Sequence, residues 1–329
     1  MHSKLIDRYH RNLNYLRISI TDRCNLRCLY CMPRGLIPKL SHKEILRYEE
    51  ILRIARVGIN LGISKIRITG GEPLVRKGVD QFLKQLAKTE GIKDISLTTN
   101  GVLLKDHIHN IKAAGIKRIN ISLDTLNKQK FKHITGYDFF DQIWEGIELA
   151  RKMGFYPIKI NVVPLKGVND DELASIAELS VLHPFHVRFI EYMPMGSNQV
   201  ANDRQILFPE IKKRIQSLGK LIPVDRNTND GPAERFKFES AQGEIGFIRP
   251  ISRHFCGTCN RLRLTASGQL RPCLMSDNHE DLKSLLRKGC SDKALAKGFL
   301  RAVRHKPLEH RLTKDHHLRG SAQMCAIGG

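Results

Sequence analysis

The sequence predicts an α/β fold in which parallel strands form a sheet or a barrel. Short apolar runs typical of strands alternate with helical patterns along much of the chain. These strand-like runs are not continuously apolar, because polar residues recur at every second position. With 329 residues, the chain can bury a sizeable core as one large domain or as a large domain with a small one.

Six strands and five helices are predicted in alternation. The strands span residues 15–20, 65–69, 94–99, 118–123, 158–163 and 187–192. The helices span residues 43–61, 79–88, 105–114, 142–153 and 171–182. A turn-rich polar stretch near 225–232 predicts a boundary between a domain of residues 1–225 and one of residues 226–329. Beyond it we expect two short strands and a basic helical segment, at residues 235–239, 244–249 and 281–305.

Polar residues share one face of each of the first five strands. These sets are Arg17, Ser19 and Thr21; Lys65, Arg67 and Thr69; Ser96, Thr98 and Asn100; Asn120, Ser122 and Asp124; and Lys159 with Asn161. If helices cover the outside of the sheet, the polar face points inward, and a polar interior indicates a ligand site. A sheet with one solvated face is the alternative interpretation.

One group of three cysteines has the spacing of metal ligands, and it consists of Cys24, Cys28 and Cys31. A four-iron cluster usually has four cysteine ligands, so three would leave one iron open to a substrate or a second cofactor. The alternative is a structural zinc site, which would need a distant fourth ligand. Because clustered thiols of this kind are typical of a reducing compartment, we expect the protein to be cytoplasmic.

A second group of three cysteines consists of Cys256, Cys259 and Cys273. By itself it fits zinc and an iron–sulfur cluster equally, because C-x2-C is a zinc pairing that His254 or a later cysteine could complete. Beside the first group, a second cluster with an open iron is the favoured interpretation. Arg261 and Arg263 follow on one face of an extended segment, where two guanidinium groups suit phosphate.

The chain is strongly basic, with 55 Lys and Arg against 33 Asp and Glu and a formal charge of +22, which favours anionic partners. The basic residues are spread along the chain, and only one Trp and seven Tyr are available for base stacking. A polyphosphate substrate therefore explains a basic pocket as well as nucleic acid does. No apolar stretch has the length of a transmembrane helix, so we expect no membrane association.

Further motifs establish a resemblance. Gly70-Gly71-Glu72-Pro73 follows the second predicted strand, and segments 15–24, 188–194 and 256–273 and the terminal Gly328-Gly329 accompany the cysteines. With Tyr30 inside the first cysteine group, these motifs make the chain resemble the radical S-adenosylmethionine (SAM) superfamily and, within it, the GTP 3′,8-cyclases of molybdenum-cofactor biosynthesis. The resemblance covers essentially the whole chain. It implies an incomplete (β/α)6 TIM-type barrel with a C-terminal auxiliary iron–sulfur region.

The resemblance also implies roles for individual residues. The first cysteine group would hold a 4Fe–4S cluster whose open iron binds SAM, and the second an auxiliary 4Fe–4S cluster whose open iron meets guanine. The residues that match the family's SAM contacts are Tyr30, Gly71, Ser122 and Met193. Those that match its GTP contacts are Arg17, Arg67, Thr98, Lys159, Arg261, Leu262 and Arg263. The expected catalytic residues are Arg17, Arg261, Arg263, Gly328 and Gly329.

The implied activity is the radical cyclisation of GTP to (8S)-3′,8-cyclo-7,8-dihydroguanosine 5′-triphosphate, the first step of molybdenum-cofactor biosynthesis. It implies an electron donor such as flavodoxin or ferredoxin and a downstream pterin-forming enzyme, without a nucleic-acid partner, and leaves open whether the chain forms a homodimer. One alternative is a radical SAM enzyme that modifies a peptide and uses the second cluster as an electron relay. The other is a zinc-dependent nucleic-acid binder, which the charge favours.

Overall fold

The predicted α/β fold is confirmed by a computed structural model that describes residues 5–31, 39–194, 204–225, 231–310 and 324–328. Strands and helices alternate through its first six units. The strands of these units are β1 (Tyr15–Ser19), β2 (Lys65–Thr69), β3 (Asp94–Thr99), β4 (Arg118–Ser122), β5 (Ile158–Val162) and β6 (Phe185–Ile190). The helices are α1 (Tyr48–Asn60), α2 (Val79–Ala87), α3 (Leu104–Ala113), α4 (Lys128–Thr135), α5 (Phe140–Lys152) and α6 (Leu173–Leu182).

The remaining described residues contribute the other strands and helices. Its strands are β7 (Leu221–Pro223), β8 (Glu234–Phe238), β9 (Glu244–Ile248), β10 (Arg261–Leu264), β11 (Gln269–Arg271) and β12 (Glu280–Asp281). Its helices are α7 (Phe208–Arg214), α8 (Leu282–Arg287), α9 (Asp292–Arg304) and α10 (Met324–Ile327). None of the helices in the described ranges is long and apolar enough to cross a membrane.

All twelve strands belong to one sheet, in the order β12-β11-β10-β1-β2-β3-β4-β5-β6-β9-β8-β7. Strands β1 to β6 are parallel, and the C-terminal strands β10 and β9 pair in parallel with β1 and β6. Among the described strands, the two ends of this order are not hydrogen-bonded to each other, as in an incomplete barrel. Strands from both sides of the predicted boundary at residues 225 and 226 belong to this one sheet. The division into two domains stays a prediction.

The alternation along each strand separates two environments. Leu16 and Ile18 of β1 and Leu262 of β10 point away from the polar side and are fully buried in the core beneath the helices. The intervening residues, such as Arg17 and Arg263, are partly or fully buried on the opposite face. The predicted polar side of the strands is therefore the inside of the barrel, which we call the lumen.

Two local features differ from the sequence-based expectation. Helix α4 was not predicted, because only Phe131 and Ile134 among its eight residues are buried and apolar. Its signals are the cap at Asn127, whose side chain accepts from Lys130 N–H, and Gly136 at its end, with φ of +79°. The basic segment 281–305 is not one helix, because Gly289 adopts φ of +71° and separates α8 from α9.

An aromatic cluster fastens β9 to the rest of the barrel. Phe247 is 1% exposed, and its ring lies 4.8 Å from that of Phe208, 5.6 Å from that of Phe236 and 6.1 Å from that of Phe189 in β6. Such contacts join a strand from the C-terminal part of the chain to the sixth β/α unit. The two parts are therefore expected to unfold together.

We predict that Phe247→Ala lowers the free energy of unfolding by about 3–5 kcal/mol, because it removes a buried ring and leaves a cavity. Trp144 in α5 is the one tryptophan of the sequence, so its fluorescence in a urea titration reports on the N-terminal units. Leu300→Ala is the control, since that side chain is 40% exposed. A Trp144 transition that does not move in Phe247→Ala would contradict this coupling.

Candidate functional site

A row of guanidinium groups crosses the lumen. In the strand register, Arg17 of β1 lies directly between Arg67 of β2 and Arg263 of β10. Neighbouring strands are about 4.8 Å apart, so like charges are adjacent here with little water between them. Arg188 of β6 and Lys159 of β5 add further basic side chains to the lumen.

The crowding perturbs the protonation of this row. Burial, followed by the charge of Arg263, holds the pKa of Arg17 well below its usual value. Burial and the neighbouring Arg261 lower the pKa of Arg263 to about 10. Burial, Arg188 and Arg67 lower the pKa of Lys159 to about 6. Each of these lowered pKa values means that the charged form of the side chain is disfavoured. An anion in the lumen would favour the charged form again.

Several polar atoms of the lumen have no hydrogen-bond partner in the described part of the chain. They are Thr98 Oγ1, Asn161 Oδ1 and Arg188 Nε, all buried. An unsatisfied buried polar atom is costly, so such atoms usually face a ligand or ordered water. Donors and acceptors in a basic cavity together suit a ligand with both phosphate and sugar or base groups.

The chain's C-terminal tail reaches this lumen. The Gly328 carbonyl accepts a hydrogen bond of 2.5 Å from Arg263 Nη1. Gly328 adopts φ of +75°, and a Cβ atom there would lie 3.0 Å from side-chain atoms of both Ser19 and Thr69. A glycine is therefore required by the backbone conformation and by the close approach to β1 and β2. Gly329, the other predicted tail residue, lies outside the described residues.

The first cysteine group lies on a loop held between β3 and α4. Arg27 and Leu29 donate backbone N–H bonds to the carbonyls of Thr135 and Ile134 at the end of α4. The Cys24 sulfur accepts from Leu26 N–H at 3.4 Å and from the side-chain amide of Asn100 at 3.7 Å. These contacts fix the loop from both sides.

The thiols of this group destabilise one another's charge. Burial raises the pKa of Cys24 to about 11, and the pKa of Cys28 is raised by burial and then by Cys31. Three thiolates in this position need a cationic partner, which is what a metal centre supplies.

The Gly-Gly turn after β2 is explained by the loop that leads to Cys24. A Cβ atom on Gly71 would lie 2.5 Å from the Arg23 carbonyl oxygen, and Gly71 N–H donates to Thr21 O at 2.7 Å. The next residue, Glu72, is fully buried, and its carboxylate accepts from Leu74 N–H, Thr99 Oγ1 and Asn100 N–H. Burial raises the pKa of Glu72 to about 7, against those three hydrogen bonds.

The residues predicted to contact SAM lie beside this loop. Tyr30 donates its hydroxyl to Asp124 Oδ2 at 2.6 Å, and Asp124 Oδ1 accepts from Val163 N–H at 2.8 Å. Tyr30 also packs against a small apolar cluster that contains Tyr192, the residue before Met193. Ser122 ends β4, two residues before Asp124. The sequence pattern had placed Asp124 on the polar face, but its bond to Tyr30 was visible only in the structure.

The second cysteine group lies beside β10, and its thiols differ from one another. Burial raises the pKa of Cys256, as it does in the first group. Although burial opposes it, Arg261 and Lys306 lower the pKa of Cys259 to about 6. The same interaction with Cys259 raises the pKa of Arg261, again against burial. Cys259 is therefore favoured as a thiolate by the protein itself.

Two histidines lie beside this second group. Within the described ranges, His254, Cys256 and His310 have ligand atoms within 4.8 Å of one another, and the two imidazole rings are 4.2 Å apart. One sulfur and two imidazole nitrogens are ligands that suit zinc, and His254 is the residue that the sequence offered for such a site.

The remaining predicted residues occupy distinct positions. Arg67 donates to Ser96 Oγ at 3.2 Å, and Arg261 lies over the Phe255 ring. Leu262 faces the hydrophobic core, so a contact with a ligand in the lumen would have to come from its backbone. Cys290 is half-buried against the core near α9. The side chain of Cys325 lies outside what the structure describes.

We predict that Gly71→Ala displaces the loop that carries Cys24 and costs about 1–3 kcal/mol of unfolding free energy, because a methyl group cannot fit against the Arg23 carbonyl. The iron content after anaerobic reconstitution should fall in parallel. Gly231→Ala is the matched control, since a Cβ atom there meets nothing within 4 Å. Equal stability and iron content in the two variants would refute this account of the turn.

Solved structures support the fold. The crystal structure of Streptococcus suis SuiB bound to S-adenosylmethionine matches with a TM-score of 0.62 at 16% identity, covering 87% of this chain and 67% of that chain. The same protein bound to precursor peptide SuiA matches with a TM-score of 0.64 at 15% identity, covering 91% and 67%. At this level of identity the likeness concerns the fold alone.

Sequence comparisons identify the family. A model of the radical SAM superfamily matches residues 18–180, and one described as Molybdenum Cofactor Synthesis C matches residues 185–312. A protein of Thermodesulfovibrio yellowstonii named GTP 3′,8-cyclase is 49% identical over 98% of this chain and 99% of its own length. Relatives with the same name in Moorella thermoacetica and Heliobacterium modesticaldum are 47% and 45% identical, covering 98% and 99% of this chain and 99% and 100% of their own lengths. The chain belongs to the radical SAM superfamily and, within it, to the family of the GTP 3′,8-cyclases.

Proposed function

We propose that this protein converts GTP to (8S)-3′,8-cyclo-7,8-dihydroguanosine 5′-triphosphate, the first step of molybdenum-cofactor biosynthesis. The observation that carries the proposal is the row of Arg263, Arg17 and Arg67 across the lumen. Three adjacent guanidinium groups repel one another in the free protein, and a triphosphate neutralises them with multidentate hydrogen bonds. The names of the relatives agree with this substrate.

Cys24, Cys28 and Cys31 fit a four-iron cluster with one open iron. In support, burial raises the pKa values of Cys24 and Cys28, so thiolates at these two positions call for the positive charge of a metal centre. When bound, the cluster and SAM supply the one-electron chemistry that abstracts hydrogen from the GTP ribose.

Tyr30, Gly71, Ser122 and Met193 would position SAM beside that cluster. In support, Tyr30 is anchored by Asp124, and Gly71 packs against the loop that leads to Cys24.

The lumen residues would orient GTP for ring closure. Arg17, Arg67, Lys159, Arg261 and Arg263 would bind the triphosphate, and the unpartnered hydroxyl of Thr98 would serve the nucleoside. The backbone of Leu262 would add to this set. The protein's main contribution is to hold the ribose and the guanine at reacting distance. The conformational entropy of the substrate is then lost on binding and no longer adds to the barrier of ring closure.

The tail would complete the site. Gly328 is inserted beside Ser19 and Thr69 and bonded to Arg263, so it can fix that guanidinium toward the substrate. Gly329 would extend the same contact.

Cys256, Cys259 and Cys273 would hold the auxiliary 4Fe–4S cluster, with its open iron toward the guanine. In support, Cys259 is followed two residues later by β10, which carries Arg261 and Arg263. The peptide-modifying alternative is not favoured, because the full-length relatives are named as GTP cyclases. For the same reason we do not favour a zinc-dependent nucleic-acid binder, and we attribute part of the basic charge to the binding of a triphosphate substrate.

Several further properties complete the proposal. The division into a barrel of residues 1–225 and an auxiliary-cluster region of residues 226–329 is kept, with the two parts sharing one sheet. We also propose a cytoplasmic setting, an electron donor such as flavodoxin or ferredoxin, and a downstream pterin-forming enzyme that takes up the product.

The activity is tested by anaerobic reconstitution followed by incubation with SAM, a reductant and either GTP or ATP. We expect 5′-deoxyadenosine and a cyclised nucleotide with GTP. Arg263→Ala should lose cyclisation while it keeps both clusters, because it removes one of the three guanidinium groups of the row, the one that Gly328 contacts. Arg253→Ala is the matched control, since its side chain is 71% exposed. Absence of both products with GTP would reject the function, and full turnover of Arg263→Ala at limiting GTP would reject the residue's role.

Lys159 gives a prediction for pH. Its pKa of about 6 leaves it neutral in the free protein at pH 8, and a bound triphosphate raises that pKa, so GTP binding should take up about one proton. GTP affinity should therefore weaken as the pH rises above 6. The unfolded chain binds this proton up to its ordinary pKa, so the contribution of Lys159 to folding stability rises with pH over the same window.

Calorimetry of GTP binding without reductant, in two buffers of different protonation enthalpy, measures this uptake. Lys159→Met should abolish it, whereas Lys152→Met, an exposed lysine on α5, should behave as the wild type. Equal proton uptake in both variants would assign it to another group.

A further inference from the structure

A buried lysine lies beneath the second cysteine group. Lys306 is 2% exposed, and its ammonium donates to the Cys259 sulfur at 3.6 Å, to the Arg261 carbonyl at 2.9 Å and to the Pro272 carbonyl at 2.6 Å. A lysine has three N–H donors, so these three acceptors use all of them. Buried ammonium groups are rare unless they are fully paired in this way.

The three acceptors lie on the two chain segments that carry the cysteines. Cys259 and Arg261 belong to the segment that enters β10, and Pro272 directly precedes Cys273. Lys306 therefore joins both segments at one point. These three side-chain bonds all lie outside α9, which ends at Arg304.

The residues after Lys306 cross the same cysteine group. Arg11 donates to the Cys256 carbonyl at 2.7 Å and, from the same guanidinium, to the carbonyls of Pro307 and Leu308 at 2.7 and 2.9 Å. Asp7 fixes that guanidinium through a buried ion pair of 2.7 Å. The backbone N–H of His310 then donates to the Cys256 thiol. Segment 306–310 thus offers hydrogen bonds to two of the three cysteine sulfurs.

We propose that Lys306 is a positioning residue of the auxiliary cluster, whose ammonium sets the spacing of the Cys259 and Cys273 segments and donates a charged hydrogen bond to the cluster's Cys259 sulfur. The inference rests on the proposed function, since it requires that this group holds a cluster. Hydrogen bonds to the sulfurs and nearby charge both set the reduction potential of such clusters. A cation at this position favours the reduced state, which is the more negatively charged one.

The test uses the full chain with Cys24, Cys28 and Cys31 replaced by alanine, so that all iron belongs to the second group. Lys306→Met is compared with Lys297→Met, an exposed lysine on α9. The measurements are the chelator concentration that removes half of the iron and the midpoint potential followed by electron paramagnetic resonance. For Lys306→Met we expect half-removal at about 10- to 100-fold less chelator, and a potential more negative than that of Lys297→Met.

Lys306→Gln separates the donor from the charge, and it decides the test if Lys306→Met does not fold. It keeps an N–H donor without the cation, so we expect a more negative potential with better iron retention than in Lys306→Met. Chelator resistance and potential equal to those of Lys297→Met, in whichever Lys306 variant folds, would overturn the proposal. If the chain with Lys306 intact forms no cluster on the second group, the auxiliary cluster of the proposed function fails as well.

Discussion

Electrostatic repulsion inside the lumen is the constraint on which the rest of this structure depends. Arg17 is held between Arg67 and Arg263 on adjacent strands, where water cannot screen the three charges well. This arrangement is unfavourable in the free protein, and it persists because the surrounding fold fixes the positions of the three strands. A polyanion would remove the repulsion, which is why we propose these same residues as the triphosphate site.

Hydrophobic burial on the opposite face of the same strands offsets this repulsion. Leu16, Ile18 and Leu262 are fully buried against the covering helices, so a slip of one residue would bring arginines into the core. Register is therefore fixed by hydrophobic burial on one face, and the charges on the other face have no freedom to separate. The tail contributes at the same place, since Gly328 accepts from Arg263 and closes one end of the row.

The sequence was sufficient for the six parallel strands and for helices α1, α2, α3, α5 and α6, because the strands alternate with period two and the helices bury apolar faces. It missed α4 and α7, which are short and bury few apolar residues. It also identified the polar lumen, since Arg17 and Lys159 lie on the face opposite the isoleucines. It did not predict that β10 pairs with β1, because that pairing joins segments far apart in the chain. Contacts such as that of Lys306 with Cys259 were invisible for the same reason: each partner is unremarkable in its own segment.

The two cysteine groups differ in a way that bears on their roles. Around Cys24 and Cys28, burial and mutual repulsion disfavour the thiolates, so their charge depends on the metal they would hold. Around Cys259, Arg261 and Lys306 already stabilise the thiolate. Cys256 of the second group resembles the first group in this respect, because burial raises its pKa as well. The cationic surroundings are therefore particular to Cys259, where Arg261 and Lys306 converge, and they are the reason to look for the protein's influence on a cluster at that sulfur.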